Sequence, residues 1–581
     1  MKVFVGGIAF ADVDYSVRAA PGQDNLAVTI TFRSKLGMNA VEIPNWQPGG
    51  YNLSDNFNNI KNLAVTVDGA AVALQHPKNN RWEFSSAREG KTAVRYTVNS
   101  EKYTDRIHFS GPSTYLYVVD RKNEKCTLNL DLPKEWSAYT GLEATEGDRK
   151  YKAPTYDVLA DCPVSAGMLT TASYTVRGVP HTIVVHHGPA DKLDMAQLTA
   201  YCKYVSQAEG DFWGGLPFKK YVWHVNAFEA RDGGSGLEHL NSVQLGVSTG
   251  MGLGLRSVLA HEYFHAWNVK RIRSKVLGPF DYNVLPKTGA LWWLEGVTDY
   301  YASMFIARYG MAGPEYMGDQ VGRNYSAYIG NTAHTTVSPY DSSYRVGEAN
   351  GGRGNSSGYQ ISYYTLGWLV GFCLDTELRS RSNNKVSLDD VVKQLFVECN
   401  GKAGFEEGRI REILVEKGGA AMGVDYDEWV TKAGKLPVEG QLARLGLEIV
   451  QVEEPNYSFG LDTNANEAKT GLEVRTVLEP ASAVLQKGDL ITKVGEFSMA
   501  GVSTGQAARS LDRAANDKSL PATGRTVKFE VMRGGQKLTV DVPTRVTMRK
   551  ASKVIDKALV TPDQRLLRTN LIYGLGPALK G

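Results

Sequence analysis

The run His261-Glu262-Tyr263-Phe264-His265 places two imidazoles and a carboxylate in an order that suits metal-assisted hydrolysis of an amide. Residues four apart share one face of a helix, because the helix repeats every 3.6 residues. Two histidines so placed can hold one Zn²⁺, and the glutamate next to the first can reach a water at that ion. A catalytic zinc needs a third protein ligand and one open position. The segment Leu291-Trp-Trp-Leu-Glu295-Gly-Val-Thr-Asp299 offers one. Glu295 stands among aromatic and aliphatic residues, where burying an unpaired carboxylate is unfavourable and a cation relieves the cost. Asp299, one helical turn further on, is placed to accept a hydrogen bond from the far nitrogen of a ligand histidine and so orient its ring. The plain alternative pairs Glu295 with Arg271 or Arg273.

Such groups need a scaffold, and 581 residues are too many for a single core. Hydrophobic content of 42% with 22% charged residues is that of a globular protein, and a net charge of +3 without a basic-aromatic stripe sets nucleic acid aside as a partner. Five cysteines (Cys126, Cys162, Cys202, Cys373, Cys399) are widely spaced, which argues against a disulfide framework and a cysteine-based metal site; the sequence selects no pair. Met1–Ala11 reads either as a short signal remnant, with Ala9-Phe10-Ala11 as its cleavage pattern, or as a first strand. The first reading implies a periplasmic or secreted protein, the second a cytoplasmic one. No later apolar stretch is long enough for a transmembrane helix.

The chain reads as multidomain α+β. Residues 12–170 alternate apolar and polar side chains in short segments (25–32, 63–67, 92–98, 115–119) between Gly, Asn, Asp and Pro turns, which predicts a β-sandwich-like domain. Residues 171–435 form the catalytic domain, mixed at first: strands at 174–176, 181–186 and 221–228 and a helix at 194–211. From about 254 helical periodicity takes over, at 254–272, 290–309, 314–328, 360–381, 387–398 and 407–417, with a Gly/Asn/Ser loop at 349–358. Strands return in 436–545: 471–477, a Pro-Ala-Ser turn, 488–494, a helix at 504–515, then 526–532 and 537–542. This order, with Gly488-Asp-Leu-Ile491, resembles a PDZ domain. Residues 546–581 read as a peripheral extension.

The string His261-Glu-Tyr-Phe-His-Ala-Trp-Asn-Val-Lys-Arg-Ile-Arg273, followed by Leu277-Gly-Pro-Phe-Asp-Tyr282 and Trp293-Leu-Glu-Gly-Val-Thr-Asp-Tyr-Tyr301, resembles the glycyl aminopeptidase family, gluzincin-type zinc peptidases with a thermolysin-like catalytic domain and a C-terminal PDZ domain. Ser274 departs from it, standing where the family is expected to have Pro. The resemblance implies Zn²⁺ on His261, His265 and Glu295, with Glu262 as general base. Gly233-Gly-Ser-Gly236-Leu-Glu238-His239 is similar to the G-x-M-E-N segment of the related larger zinc aminopeptidases. It implies Glu238 as the holder of the substrate's α-ammonium, Gly236 as a point of close backbone approach, and a second contact from His239 in place of Asn. The helix start Tyr359-Gln-Ile-Ser-Tyr-Tyr364-Thr-Leu-Gly367 resembles the place of the catalytic Tyr, with Tyr364 preferred as oxyanion donor over Tyr363, and Tyr359 near substrate.

The expected function is removal of the N-terminal residue from peptides with a free N-terminus, Gly and then Ala preferred. An endopeptidase on the same scaffold would leave Glu238 idle; a peptide-binding scaffold with a degenerate metal site would leave the PDZ-like module in charge. That module either binds peptides or substrate tails by strand addition or is a structural appendage.

Overall fold

The computed structural model of the chain describes residues 13–100, 103–230, 233–346, 361–434, 436–468, 470–502, 504–517 and 519–574. The Met1–Ala11 segment and the 349–358 loop lie outside them.

Period-two patterning builds the N-terminal part. In Asn25–Ser34 the side chains of Leu26, Val28, Ile30 and Phe32 are buried. Gly90–Asn99 faces it with the same rhythm, setting Leu26 opposite Val98, Val28 opposite Tyr96 and Ile30 opposite Val94. These strands are central in an eight-stranded sheet, and a four-stranded sheet covers the same core, to which Val17, Ile30, Val41, Phe84 and Val94 contribute. The strand expected at 115–119 shrinks to Tyr117–Val118. Phenols take its backbone groups: Tyr156 donates to the Tyr115 carbonyl, Tyr15 donates to the Leu116 carbonyl, and the Leu116 amide donates to Tyr96. A backbone satisfied in that way needs no neighbouring strand.

The catalytic part opens with a five-stranded sheet in the order Thr170–Val176, Val179–His187, Tyr221–Phe228, Ser242–Ser248, Gly234–Glu238. The last strand runs antiparallel at the edge, with Glu238 opposite Val243 and Gly236 opposite Leu245. Gly234, Gly236 and Glu238 therefore share a face, two residues without side chains and one carboxylate. The helix Leu253–Phe264 lies close on that face: a Cβ built on Gly234 would stand 3.2 Å from Leu255. The long helix Met195–Trp213 packs beside it, capped by Asp194, which accepts from the Gln197 amide at 2.9 Å, and closed by Gly214 at φ +76°.

The helix expected over 254–272 stops at Phe264. The Asn268 carbonyl accepts a hydrogen bond from the His265 ring, a role closed to a carbonyl inside a regular helix. The helix expected over 290–309 begins instead as a π-helical turn, Trp292–Val297, before the regular Thr298–Arg308. Glu295 stands in that widened turn, a form common at functional sites. The remaining expected helices are Tyr316–Ile329, Tyr363–Ser382, Leu388–Cys399 and Arg409–Gly418.

The C-terminal third is organised differently from the expectation. Val438, Leu442 and Leu445 bury into the helical core, so the chain leaves the catalytic part after them and not at 436. It leaves on one strand of a ribbon, Leu447–Ser458, and returns on the other, Arg545–Asp556, paired along its length. Between them six strands and the helix Thr504–Ala515 enclose a separate core around Leu472, Ile491, Phe529 and Val531. The residues past 545 are not peripheral. They supply the second ribbon strand and the helix Pro562–Tyr573, whose Leu567 and Leu571 join the helical core. These two leucines, one turn apart, form an apolar face that the basic composition of the tail concealed. All five cysteines are free and buried, and no helix among the described residues is long and apolar enough to cross a membrane.

Candidate metal centre and active site

Three nitrogen and oxygen atoms converge between the helix Leu253–Phe264 and the π turn. His261 Nε2 lies 2.8 Å from His265 Nε2, and Glu295 Oε2 lies 3.4 Å and 3.3 Å from the two. Vertices of a tetrahedron around an ion with bonds of about 2.0–2.1 Å stand about 3.3 Å apart. All three side chains are buried. Neither expected arginine partner is there: Arg271 donates to the Pro217, Leu240 and Ala266 carbonyls.

The far side of each ring fixes its proton. His261 Nδ1 stands 2.7 Å from Asp299 Oδ1, and His265 Nδ1 donates to the Asn268 carbonyl. Asn268 is itself held, its amide donating to the Trp293 carbonyl at 3.1 Å and to Thr298 Oγ1 at 3.0 Å. With protons on both Nδ1 atoms, both Nε2 lone pairs point at each other and at a carboxylate. Three acceptors so placed repel unless a proton or a metal cation joins them. The acid–base balance agrees. Burial opposes charge on His261, yet Asp299 and Glu295 hold its pKa well above the ordinary range; burial likewise opposes ionisation of Glu295, and the two imidazoles hold it low. The donor set thus fits a divalent cation. Asp299→Asn is expected to weaken metal binding about 10–100-fold, read by competition with a chromophoric chelator; unchanged affinity removes Asp299 from the support of the site.

Glu262 faces the same space. Burial, with the charges of Glu238 and Glu295 adding to it and His261 and His265 opposing it, pushes its carboxyl up to about 7, and Oε2 is buried with no hydrogen-bond partner. The edge strand reaches it because residue 236 is glycine: a Cβ there would stand 2.2 Å from the Glu262 carboxyl carbon. Tyr364 comes from the opposite side, its ring centroid 6.1 Å from that of His261. Tyr363 is buried in the core and Tyr364 half-buried at the site, which separates the two candidates. The Gly367 of Tyr-Thr-Leu-Gly places them: Gly367 packs on Gly296, where a Cβ would stand 2.5 Å from the Gly367 Cα, so the helix Tyr363–Ser382 lies directly against the Glu295 turn. Tyr359 lies outside the described residues.

Glu238 ends the edge strand at 4% exposure. Its carboxylate accepts no hydrogen bond among the described residues and lies in one group with Glu262 and His265, their ligand atoms all within 4.8 Å of one another. Its nearest opposite charge is Lys270, at 3.8 Å, which is held in turn by Asp161 at 2.9 Å. Asp161 is brought down to about 2, against the effect of burial, by Lys270 and His239. Both ring nitrogens of His239 are engaged within the protein. Its Nδ1 faces Asp161 at 3.3 Å and its Nε2 faces the Gln244 amide at 3.0 Å. Sequence reasoning missed Lys270 and Asn268, although both belong to the run Asn268-Val-Lys270 directly after the second histidine; Asp161, distant in sequence, gave no signal.

Residues 14–168 match the family model of the peptidase M61 N-terminal domain, and residues 254–370 match that of the M61 glycyl aminopeptidase. The two matches identify an M61-type N-terminal domain and an M61 glycyl aminopeptidase domain in this chain, and with them a metallo-aminopeptidase. The second match spans His261, His265, Glu295, Glu262 and Tyr364. An aminopeptidase N family protein from Idiomarina loihiensis is 22% identical, with 97% of this chain and 100% of that one covered at a TM-score of 0.73, and so shares the fold. An M1 zinc metallopeptidase from Deinococcus radiodurans (14% identity, 73% and 94% covered, TM-score 0.46) and yeast LTA4 hydrolase in complex with bestatin (15%, 73% and 68%, TM-score 0.47) are more distant. Comparison with curated proteins finds no match.

Proposed function

We propose that the M61 peptidase uses Zn²⁺ to remove the first residue of peptides with a free N-terminus, with Gly and then Ala preferred. One observation supports exo-cleavage above all: the bare, buried carboxylate of Glu238 shares a 4.8 Å group with Glu262 and His265. In a peptide the α-nitrogen and the first carbonyl carbon are both bonded to one Cα. A carboxylate that close to the reacting centre leaves room for one residue between the ammonium it holds and the bond to be broken. An endopeptidase would have to place uncharged chain against a buried carboxylate that accepts no hydrogen bond among the described residues and shares its one nearby ammonium, Lys270, with Asp161, which is unfavourable. Two imidazoles and one carboxylate with tetrahedral spacing favour zinc over the harder, oxygen-seeking cations.

His261, His265 and Glu295 hold the ion, which when bound supplies the Lewis acidity that activates water and polarises a carbonyl. Glu262 takes a proton from the attacking water and returns it to the leaving amine; a carboxyl pushed up to about 7 by burial is suited to both halves of that transfer. Tyr364 donates to the oxyanion that develops on the substrate carbonyl. Glu238 anchors the ammonium, with Gly236 allowing close approach of the strand. Lys270 and Asp161 set the charge around Glu238: two carboxylates and one ammonium leave one negative charge for the substrate to match.

We read the C-terminal module as PDZ-like, from its strand order and the helix Thr504–Ala515, and as a binder of extended peptide segments. The catalytic reading is tested with aminoacyl-arylamides, with and without chelator. Free-amine Gly- and Ala-arylamides are expected to be cleaved, cleavage to stop with chelator and return with Zn²⁺, and N-acetylated counterparts to be spared. Cleavage of the acetylated substrates at a comparable rate would instead identify an endopeptidase.

A further inference from the structure

Tyr51 belongs to the N-terminal third of the chain, yet its ring is buried in the core of the catalytic helices. Its backbone is left-handed, φ +45°, an uncommon conformation for an aromatic residue. Such conformations persist where surrounding contacts over-determine them, and they concentrate at functional sites. The contacts here are plain. The Gly50 amide closes a turn on the Gln47 carbonyl at 3.0 Å, and the Ser54 amide donates to the Asn45 carbonyl at 2.6 Å. The turn is tied to the catalytic part by the Asn45 amide, which donates to the Tyr282 carbonyl at 2.9 Å, and by Trp46 Nε1, which donates to the Asp281 carbonyl at 2.8 Å. Trp46 stacks on Tyr51, with centroids 6.4 Å apart and planes 21° apart.

The turn presses on the ammonium-binding carboxylate. Gly49 is at φ +87°, and a Cβ on it would stand 2.6 Å from Glu238 Oε2 and 2.7 Å from Leu237 Cδ1. Burial first, then the charges of Glu295 and Glu238, raises the Tyr51 phenol well above its ordinary pKa, which places the ring in the field of both carboxylates. Its hydroxyl has no hydrogen-bond partner among the described residues. Tyr51, Trp46, Gly49, Leu240, Lys270 and Glu238 line one cavity of about 80 Å³. A space of that size holds a few waters. The first side chain of a substrate leaves the carbon that bears the ammonium, so a residue held by Glu238 must send its side chain into this space or past its walls.

We propose that Tyr51 is the specificity-determining residue of this peptidase: its ring, held by the strained turn in the wall of the cavity it shares with Glu238, closes the space beside the ammonium and restricts substrates to those whose first residue carries hydrogen or a methyl group. The proposal rests on the aminopeptidase reading and deepens it. It assigns substrate choice to the N-terminal domain, while the chemistry stays with the catalytic one.

The test is kcat/KM of the zinc-loaded full chain on Gly-, Ala-, Leu- and Phe-arylamides for wild type, Tyr51→Phe and Tyr51→Ala. The wild type is expected to favour Gly over Leu by at least tenfold. Tyr51→Phe should keep that ratio within about twofold, and Tyr51→Ala should raise Leu relative to Gly by tenfold or more. If Tyr51→Ala does not fold, Tyr51→Leu takes its place with the same expected direction. A wild type that cleaves Leu- as readily as Gly-arylamide overturns the proposal, as does a folded Ala or Leu variant with an unshifted ratio. Both outcomes leave N-terminal cleavage intact, the first removing only the preference for Gly, whereas failure of the wild type on every free-amine substrate defeats the aminopeptidase reading itself.

Discussion

Glu262→Gln is expected to lower kcat on Gly-arylamide by about 10²–10⁴-fold while the protein still binds one equivalent of metal. The two halves of that expectation have separate physical origins. The proposed metal donors are His261, His265 and Glu295, whose spacing and outer contacts to Asp299 and Asn268 do not involve Glu262. The amide of glutamine has nearly the volume of the carboxyl, so the contact with Gly236 is preserved. Only the ability to take a proton is lost. Burial holds the native carboxyl at about 7, so it gives back a proton as readily as it takes one near neutral pH; an amide does neither. Metal content by elemental analysis and kcat by arylamide turnover separate the two. A variant with full metal and more than a tenth of the wild-type kcat would show that another group moves the proton.

The parts of the site that could be read from the sequence are those where spacing within one element decides geometry. Histidines four apart fall on one face whatever surrounds them, and Glu295 and Asp299 keep the same relation across one turn. Gly236 and Glu238 were legible only through the resemblance to the G-x-M-E-N segment; the structure adds that they lie on one edge strand, Gly236 opposite Leu245 and Glu238 opposite Val243. What could not be read depends on contacts between distant segments. Asp161 reaches Lys270 across 109 positions, and the turn at Gly49–Tyr51 meets Glu238 from another domain. His239 was expected at the substrate because it stands at the Asn of the G-x-M-E-N segment; in the structure it lies just past the strand end, and its ring nitrogens face Asp161 and Gln244. The break after His265 and the π turn at Glu295 also escaped periodicity. Each is imposed by a functional requirement, a free carbonyl for a ring nitrogen in one case and a widened turn for a ligand in the other, that propensity does not record. The C-terminal helix was misread for a milder reason: two leucines in a basic segment are a weak signal until a core receives them.

The second large effect is expected at Glu238. Glu238→Ala should reduce kcat/KM on free-amine Gly-arylamide by about 10²-fold or more, as for loss of one partner from a buried charge pair. The counterpart lacking the amino group should change by less than about threefold. The loss has two sources in the structure. One is the missing partner of the substrate ammonium. The other is Lys270, which lies 3.8 Å from Glu238 and in the variant keeps only Asp161, so the net negative charge of the pocket falls to zero and an incoming ammonium meets another ammonium with nothing between them. Glu238→Gln preserves the packing under Gly49 and Leu237 and should reproduce most of the loss, which separates charge from shape. Comparable losses on amine-bearing and amine-free substrates would mean that Glu238 only shapes the strand end. A selective loss would mean that this carboxylate, placed within one residue's reach of Glu262 and the metal donors, makes the hydrolase an exopeptidase.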